Sequence, residues 1–410
     1  MKLINGAPGW PKLTSSTWTY PALQEDVECD VLVIGAGMSG GLISHELAKK
    51  GLRTVTVEKR SVGAGSTCAN TGLLQFCNDK PLSACINSFG LDQGVRFYKL
   101  CEQAVKKLLA IHDSLLTKAD MFPRSSLYFA SEEADVPGLK AEYQALKQHG
   151  FSVEWREEKH IEASFGFRKP AGIVTHGDAE INPAAFVQSL FETATKKYGL
   201  QLFEHTRVAR REDHADHITI FTDNGSKITT KHIVYATGYE TQEYKKDENA
   251  VLESSFAIIT EPVEDIDKVW PDKYMIWETA RPYKYFRMTT DNRIVAGGFD
   301  FGSNIWEERE RMLAQAAKKL EAEIEKLFPT LAPIHAEYPW AAAFCSTHDG
   351  LPMIGTHPNY NRSTFIQAYG GNGDVYCSIA TDIIPALIEH GYHPDAELFR
   401  FDRPHTPSVS

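Results

Sequence analysis

The chain has 410 residues, 42% of them hydrophobic and 24% charged, with a formal net charge of -11. That length and apolar content suit two or three domains, or one domain with large insertions, around a sizeable core. The negative charge speaks against nonspecific binding to DNA, RNA or anionic lipid, all of which want a basic face. The opening stretch "MKLINGAPGWPKLTSSTWTYPALQEDVECD" has no apolar signal core, and runs such as "IIPALI" are too short to span a bilayer. Seven cysteines, an odd number without a C-x-x-C pair, point to reduced thiols and not to a disulfide frame or a zinc site. The histidines have no metal spacing. The expectation is a cytoplasmic chain with no bound metal, no nucleic-acid partner and no membrane span; self-association is left open.

Residues 1–28 read as an extended arm with Trp10 and Trp18 as docking points. "CDVLVIG" is a near-continuous apolar run, as in a strand covered on both faces. "GAGMSGGLISHELAKKG" follows as turn and helix, and "LRTVTVEK" as a second buried strand, so the globular part opens on a βαβ unit. Apolar residues three and four apart predict a helix over 92–118. "SSLYFAS" is a strand, and another helix follows Pro137. A strand, a turn and a helix from about Pro183 come next, then the short strands "LFEHTRVAR", "HITIFTD" and "KHIVYATG". Between Val251 and Asp300, alternation broken by turn residues predicts an antiparallel sheet. "IWEERERMLAQAAKKLEAEIEKLF" is a long helix, "STFIQAYGG" a strand, and "NGDVYCSIATDIIPALIEHG" a turn and a helix. Parallel α/β signals at the start, middle and end thus enclose antiparallel ones. The fold class expected is α/β: a Rossmann-type nucleotide domain (29–90, 171–248, 336–403) with an inserted α+β substrate domain (91–170, 249–335) built on an antiparallel sheet.

The motif "GAGMSG" sets Gly35, Gly37 and Gly40 at G-x-G-x-x-G spacing, with Met38 and Ser39 between them. The first glycine permits a tight turn, the second lets the backbone approach a pyrophosphate, and the third lets helix and strand pack closely. The helix N-terminus offers unpaired N–H groups to the anion. Glu58, followed by Lys59, ends the next strand, where a carboxylate accepts both ribose hydroxyls and repels a 2′-phosphate. NAD and FAD remain. The polar loop "GSTCANTGLL" favours FAD, whose ring needs a grip along its edge. Ser66 and Thr67 offer hydroxyls to phosphate; Asn70, Thr71 and Gly72 are small enough to bring main chain to the ring; Leu73 and Leu74 would pack on it.

On these residues the chain resembles the FAD-dependent oxidoreductases of the D-amino-acid oxidase, glycine oxidase and sarcosine oxidase type. Four segments carry the resemblance: "DVLVIGAGMSG…VTVEKR", "GSTCANTGLL", "INPAAFVQSLFETATKKYGL…HTRV…HIVYATG" and "DGLPMIG…AYGGNGD". It covers 29 to about 395 and implies noncovalent FAD. It implies further that the Val208 backbone holds adenine and that Ala236, Thr237 and Gly238 lie over the dinucleotide. Gly371, Asn372 and Gly373, with Asp374 after them, would bring a helix N-terminus to the flavin pyrimidine, where developing negative charge needs donors. Within the family the chain is most similar to D-amino-acid-dehydrogenase-like (DadA-like) and gamma-glutamylputrescine-oxidase-like members.

On the substrate side, "YKYFRMTTDNRIVAGG" places Tyr283, Tyr285 and Arg287 on one face of a strand. Tyr285 is similar to a pocket tyrosine of glycine-oxidase-like enzymes. Arg287 is either a carboxylate clamp or a structural sheet residue. The sequence departs from the family pattern twice. Phe344 stands near the place of the arginine that holds a substrate carboxylate, and Ala342 is nearest the cysteine that bonds flavin covalently in sarcosine oxidases. The expected reaction is hydride transfer from an amine or amino acid to FAD, with oxygen or an electron carrier as final acceptor. A 2-hydroxy-acid dehydrogenase using His348 as base, and a flavin-binding subunit of a larger complex, are the alternatives.

Overall fold

A computed structural model describes residues 1–15 and 17–403 and is organised around two sheets. The first has the order Met353–His357, Tyr360–Gln367, Lys227–Tyr235, Val27–Ile34, Thr54–Val57, Gln201–Phe203, and its last five strands run parallel. Val31, Leu32, Val33, Val55 and Val57 are at most 1% exposed, as strands covered on both faces require. Helices Met38–Lys49, Pro183–Tyr198 and Gly373–His390 pack beside them. The hairpin Val208–Asp213 and Ile218–Thr222 hangs antiparallel from the N-terminal half of Lys227–Tyr235, whose other half pairs with Tyr360–Gln367.

The second sheet runs Ile4–Gly6, Ala336–Thr347, Ala250–Thr260, Ile294–Phe301, Tyr285–Met288, Met275–Glu278, Met121–Phe129, Ala171–Ile181, Leu73–Leu74, with Val153–Glu157 also on Ala171–Ile181. It is mixed, not purely antiparallel as the alternation suggested, because Met275–Glu278 lies parallel to Met121–Phe129. A strand's partner direction depends on distant chain and leaves no mark in its own alternation. Helix Trp306–Leu327 covers the Ala336–Thr347 end, its Leu320 and Ile324 fully buried.

Sheet membership also departs from the expected segment boundaries. Ala171–Ile181, Ala336–Thr347 and Leu73–Leu74 lie within the segments 171–248, 336–403 and 29–90, yet they pair in the second sheet. The arm is no loose extension: Ile4–Gly6 forms the edge strand on Ala336–Thr347, and Trp10 is 2% exposed. Trp18 stays 36% exposed, with Lys196 Nζ 3.9 Å from its ring. The helices expected over 92–118 and after Pro137 are Leu91–Ser114 and Val136–Gln148.

Among the described residues no helix is long and apolar enough to cross a membrane, and no cluster of three or more His, Cys, Asp or Glu could hold a metal. All seven cysteines are free and buried.

Candidate active site

A cavity of about 650 Å3 runs between the two sheets. Its nucleotide end opens where the strand Val27–Ile34 turns into the helix Met38–Lys49. Gly35 has φ +108°, a left-handed value that a side chain disfavours. A Cβ on Gly40 would sit 1.8 Å from the Gly35 carbonyl oxygen, so the helix packs on the turn only without one. The Met38 N–H donates to Thr67 Oγ1 at 2.9 Å, bringing the polar loop against the helix N-terminus. Glu58 accepts from the Ala36 N–H (2.9 Å) and the Arg60 N–H (2.8 Å), which fix its carboxylate beside the turn with lone pairs to spare. Lys59 and Arg60 both bond Glu240, at 2.8 and 2.9 Å. Val208, between Arg207 and Ala209, lines the same end, as do Ala236, Thr237 and Gly238.

The middle of the cavity is walled by the loop that follows Gly65. Ser66–Ala69 is a short 3-10 turn, and Leu73–Leu74 then joins the second sheet. Asn70 is the knot. Its amide donates to Asp374 Oδ2 (2.8 Å), its side-chain oxygen accepts from Gly72 N–H (2.6 Å), and its carbonyl accepts from Trp10 Nε1 (2.5 Å). Trp340 Nε1 holds the neighbouring Ala69 carbonyl at 2.9 Å. Burial pushes the Asp374 carboxyl up to about 7, with the Asn70 amide pulling the other way. Asn372 stands at the N-cap position of the helix Gly373–His390, and its amide, making no cap bond, donates to the Cys77 carbonyl (2.6 Å) and Asn78 Oδ1 (2.8 Å). The Gly371 N–H donates to Asp79 Oδ2 at 3.1 Å.

Most residues expected at the cofactor do line this cavity: Gly35, Gly37, Met38, Ser39, Glu58, Lys59, Ser66, Thr67, Asn70, Thr71 and Leu73, then Val208, Ala236, Thr237, Gly238, Gly371, Asn372, Gly373 and Asp374. Three stand behind it. Gly40 packs on Gly35. Gly72 fits under Ile181, whose carbonyl oxygen a Cβ would approach to 2.1 Å. Leu74 points into the core at 0% exposure, because strand alternation sends it to the face opposite Leu73.

The substrate end holds Trp277, Tyr283, Tyr285, Asp79, Asp300, Ser255 and Phe344. Gly297 makes room for Tyr285, since a Cβ there would lie 2.3 Å from the phenol oxygen. Burial raises the Tyr285 hydroxyl well above its ordinary range, so the phenol is neutral and available to donate. Arg287 corrects the clamp expectation. It is 2% exposed, and its guanidinium donates to the Thr71, Ile181 and Met288 carbonyls at 2.7, 2.7 and 3.0 Å, with Glu180 at 3.7 Å. Three of its five N–H groups go to main chain behind the loop, and it is not among the lining residues. His348, the base expected for the hydroxy-acid alternative, is not among the lining residues either. Cys345, at 0% exposure, lies in a separate apolar cluster, while Ala342 lines the cavity.

Asp79, Asp300 and Trp277 had no sequence signal as site residues. Asp300 ends an alternating apolar strand, and Asp79 sits in the short polar stretch "CNDK" after the loop; both patterns are common in ordinary surface turns.

A turn of this kind at a parallel-strand edge, with a carboxylate on the neighbouring strand and a long cavity between two sheets, defines a dinucleotide-binding oxidoreductase. The chain belongs to the FAD-dependent oxidoreductase family, whose model matches residues 30–380. It is 22% identical over 400 residues to gamma-glutamylputrescine oxidoreductase of Escherichia coli (strain K12), covering 95% of this chain and 89% of that one. It is 27% identical over 195 residues to a protein of Bacillus subtilis (strain 168) named as a Rieske 2Fe-2S iron-sulfur protein, covering 48% of this chain and 37% of that one. The fold matches the crystal structure of glycine oxidase from Geobacillus kaustophilus with a TM-score of 0.79 at 18% identity, covering 92% of this chain and 99% of that one.

Proposed function

We propose that the chain oxidises the carbon–nitrogen bond of a small amine or amino acid, using noncovalently held FAD. The observation that carries this reading is the single continuous cavity. It joins the glycine turn and Glu58 to a pocket of three aromatic rings through the loop tied at Asn70. The residues suit FAD. The N–H groups of the helix Met38–Lys49 and Thr67 would hold the pyrophosphate, Glu58 the ribose, and Val208 the adenine. Thr71, Leu73 and the Gly371–Gly373 turn would hold the ring. Ala342 carries no thiol and Cys345 is buried in a separate cluster, and burial keeps the two lining thiols, Cys77 and Cys377, protonated, which supports noncovalent FAD.

Bound FAD supplies a two-electron acceptor for the hydride that leaves the carbon next to nitrogen. The chain's own part is orientation and exclusion of water. Trp277, Tyr283 and Tyr285 give the substrate an apolar wall, and Tyr285 donates from its neutral phenol. The hydrogen on the carbon next to nitrogen would leave with the bonding electron pair, so no side chain is required as a base at that carbon. The substrate imine then takes up water and yields a carbonyl compound and ammonia or an amine. Sheet membership supports a division in which 91–170 and 249–335, together with Ala171–Ile181 and Ala336–Thr347, form the substrate side.

A steady-state panel of amines, amino acids and 2-hydroxy acids, read in parallel by dye reduction and by peroxide release, tests the reading and sorts oxygen from an electron carrier. Turnover of amines or amino acids with release of ammonia or amine is the expected result. Turnover confined to 2-hydroxy acids overturns it.

A further inference from the structure

The basic groups along the cavity sit at one end, among the carboxylates of Glu58, Glu240 and Glu243. The basic lining residues are Lys59, Arg60, Arg207, Arg210 and Arg211, and all flank Glu58 or Val208 at the nucleotide end. Among the described residues no lysine or arginine lines the substrate end. Two carboxylates do, Asp79 and Asp300. Asp79 is fixed by the Gly371 N–H at 3.1 Å and keeps further acceptor capacity. Around them stand the aromatic rings. Tyr283 lies 6.1 Å from Trp277 at 73° and 5.6 Å from Tyr285 at 47°, so the three rings form a corner and not a stack. Trp277 is itself backed by Tyr128 at 3.7 Å, and its Nε1 is buried without a partner. Phe344 lines the cavity, and the Arg287 guanidinium is turned away into main-chain bonds.

A corner of aromatic faces with carboxylates at its edge is the environment that stabilises an alkylammonium: the ring faces are negative and the carboxylates supply the countercharge. It disfavours a carboxylate, which would meet like charge. The reacting nitrogen must be neutral, so a cation held here belongs to another part of the molecule. Building on the proposed function, we infer that the substrate carries a second, cationic amino group in place of an α-carboxylate, and that Asp79, Asp300 and the Trp277–Tyr283–Tyr285 corner recognise it. Arg281 is the one guanidinium nearby. It packs 5.1 Å from the Tyr283 ring, donates to the Thr279 and Ala280 carbonyls at 3.0 Å and to the Asp79 carbonyl at 3.5 Å, and its charge favours the Asp300 carboxylate, but it is outside the lining.

The test uses the FAD-loaded full chain and three probes of equal carbon length: butylamine, 1,4-diaminobutane and 2-aminobutanoate. The readout is the concentration dependence of the anaerobic loss of flavin colour. The diamine is expected to reduce the flavin with a second-order rate constant about 10-fold or more above that of the monoamine, mostly through tighter binding, as expected for one desolvated cation contact. Asp300→Asn should erase most of that preference, read as the ratio of diamine to monoamine within the variant; FAD content and melting temperature identify a variant that has misfolded. The wild-type ratio of diamine to monoamine stands without any variant. Equal rates for the two amines, or a preference for 2-aminobutanoate, overturn the inference and leave amine oxidation in place. Colour lost to none of the three but to 2-hydroxybutanoate, added as a control, would overturn both.

Discussion

Replacing Arg287 with leucine separates the structural role found here from a role in catching substrate. In the folded chain its guanidinium satisfies the Thr71, Ile181 and Met288 carbonyls and faces Glu180 at 3.7 Å, all out of water. Arg287→Leu leaves those buried acceptors without donors, each worth roughly 1–3 kcal/mol when orphaned. Arg124 still holds Glu180 at 2.5 Å, so the carboxylate is not abandoned. The sum, allowing for relaxation, is about 3–5 kcal/mol. At roughly 1–2 °C per kcal/mol for a chain of this length, the melting temperature should fall by about 5 °C. Because Thr71 lines the cavity, the loop loses its tether and FAD affinity should drop about 10-fold or more. Differential scanning fluorimetry and FAD titration of the apoprotein measure both, and steady-state kinetics of the fully loaded variant should give a KM within about 2-fold of wild type. A variant with normal stability and FAD content but a KM raised 10-fold would refute the reasoning and return Arg287 to the substrate.

Three further outcomes follow from the same geometry. Gly40→Ala should yield protein that holds no FAD, since its Cβ falls 1.8 Å from the Gly35 oxygen; normal FAD content would mean that the turn is looser than described. Trp10→Phe deletes the donor to the Asn70 carbonyl at 2.5 Å, and should raise the FAD dissociation constant about 5-fold, for a loss of roughly 1 kcal/mol, with little change in melting temperature. Burial raises the Asp300 carboxyl to about 6, so it is neutral below that pH and charged above it. Attraction to a cation therefore grows as pH rises through about 6. The ratio of kcat/KM for 1,4-diaminobutane over butylamine, which cancels protonation of the reacting amine, should fall on acidification through that value and flatten in Asp300→Asn.

The nucleotide half was legible because its signals are local. Buried strand, glycine turn, helix and strand-end Glu58 lie within one short stretch, and each glycine answers a contact inside that stretch. The loop from Gly65 was legible in its purpose but not in every side chain. Alternation was enough to separate Leu73 from Leu74, yet only the pairing of Leu73 with Glu180 fixes which face is which. Arg287 shares a strand face with Tyr285, and periodicity alone puts both at the pocket. What buries Arg287 is the Thr71 and Ile181 main chain, brought over it from remote parts of the sequence. Asp79 and Asp300 likewise come from segments far apart, and only the closure of the second sheet against the Gly371 turn sets them at one end of the cavity. The arm was expected to dock through its tryptophans; that its Ile4–Gly6 adds a strand depends on the free edge of Ala336–Thr347, which no local pattern announces.

The most direct test of the central claim is anaerobic titration of the purified, FAD-loaded chain while its visible spectrum is followed. The account predicts full loss of flavin colour on adding an amine or amino acid, with the carbonyl product and ammonia or amine formed in proportion to flavin reduced. Flavin that keeps its colour with every amine and amino acid, yet is bleached by a 2-hydroxy acid, would contradict it.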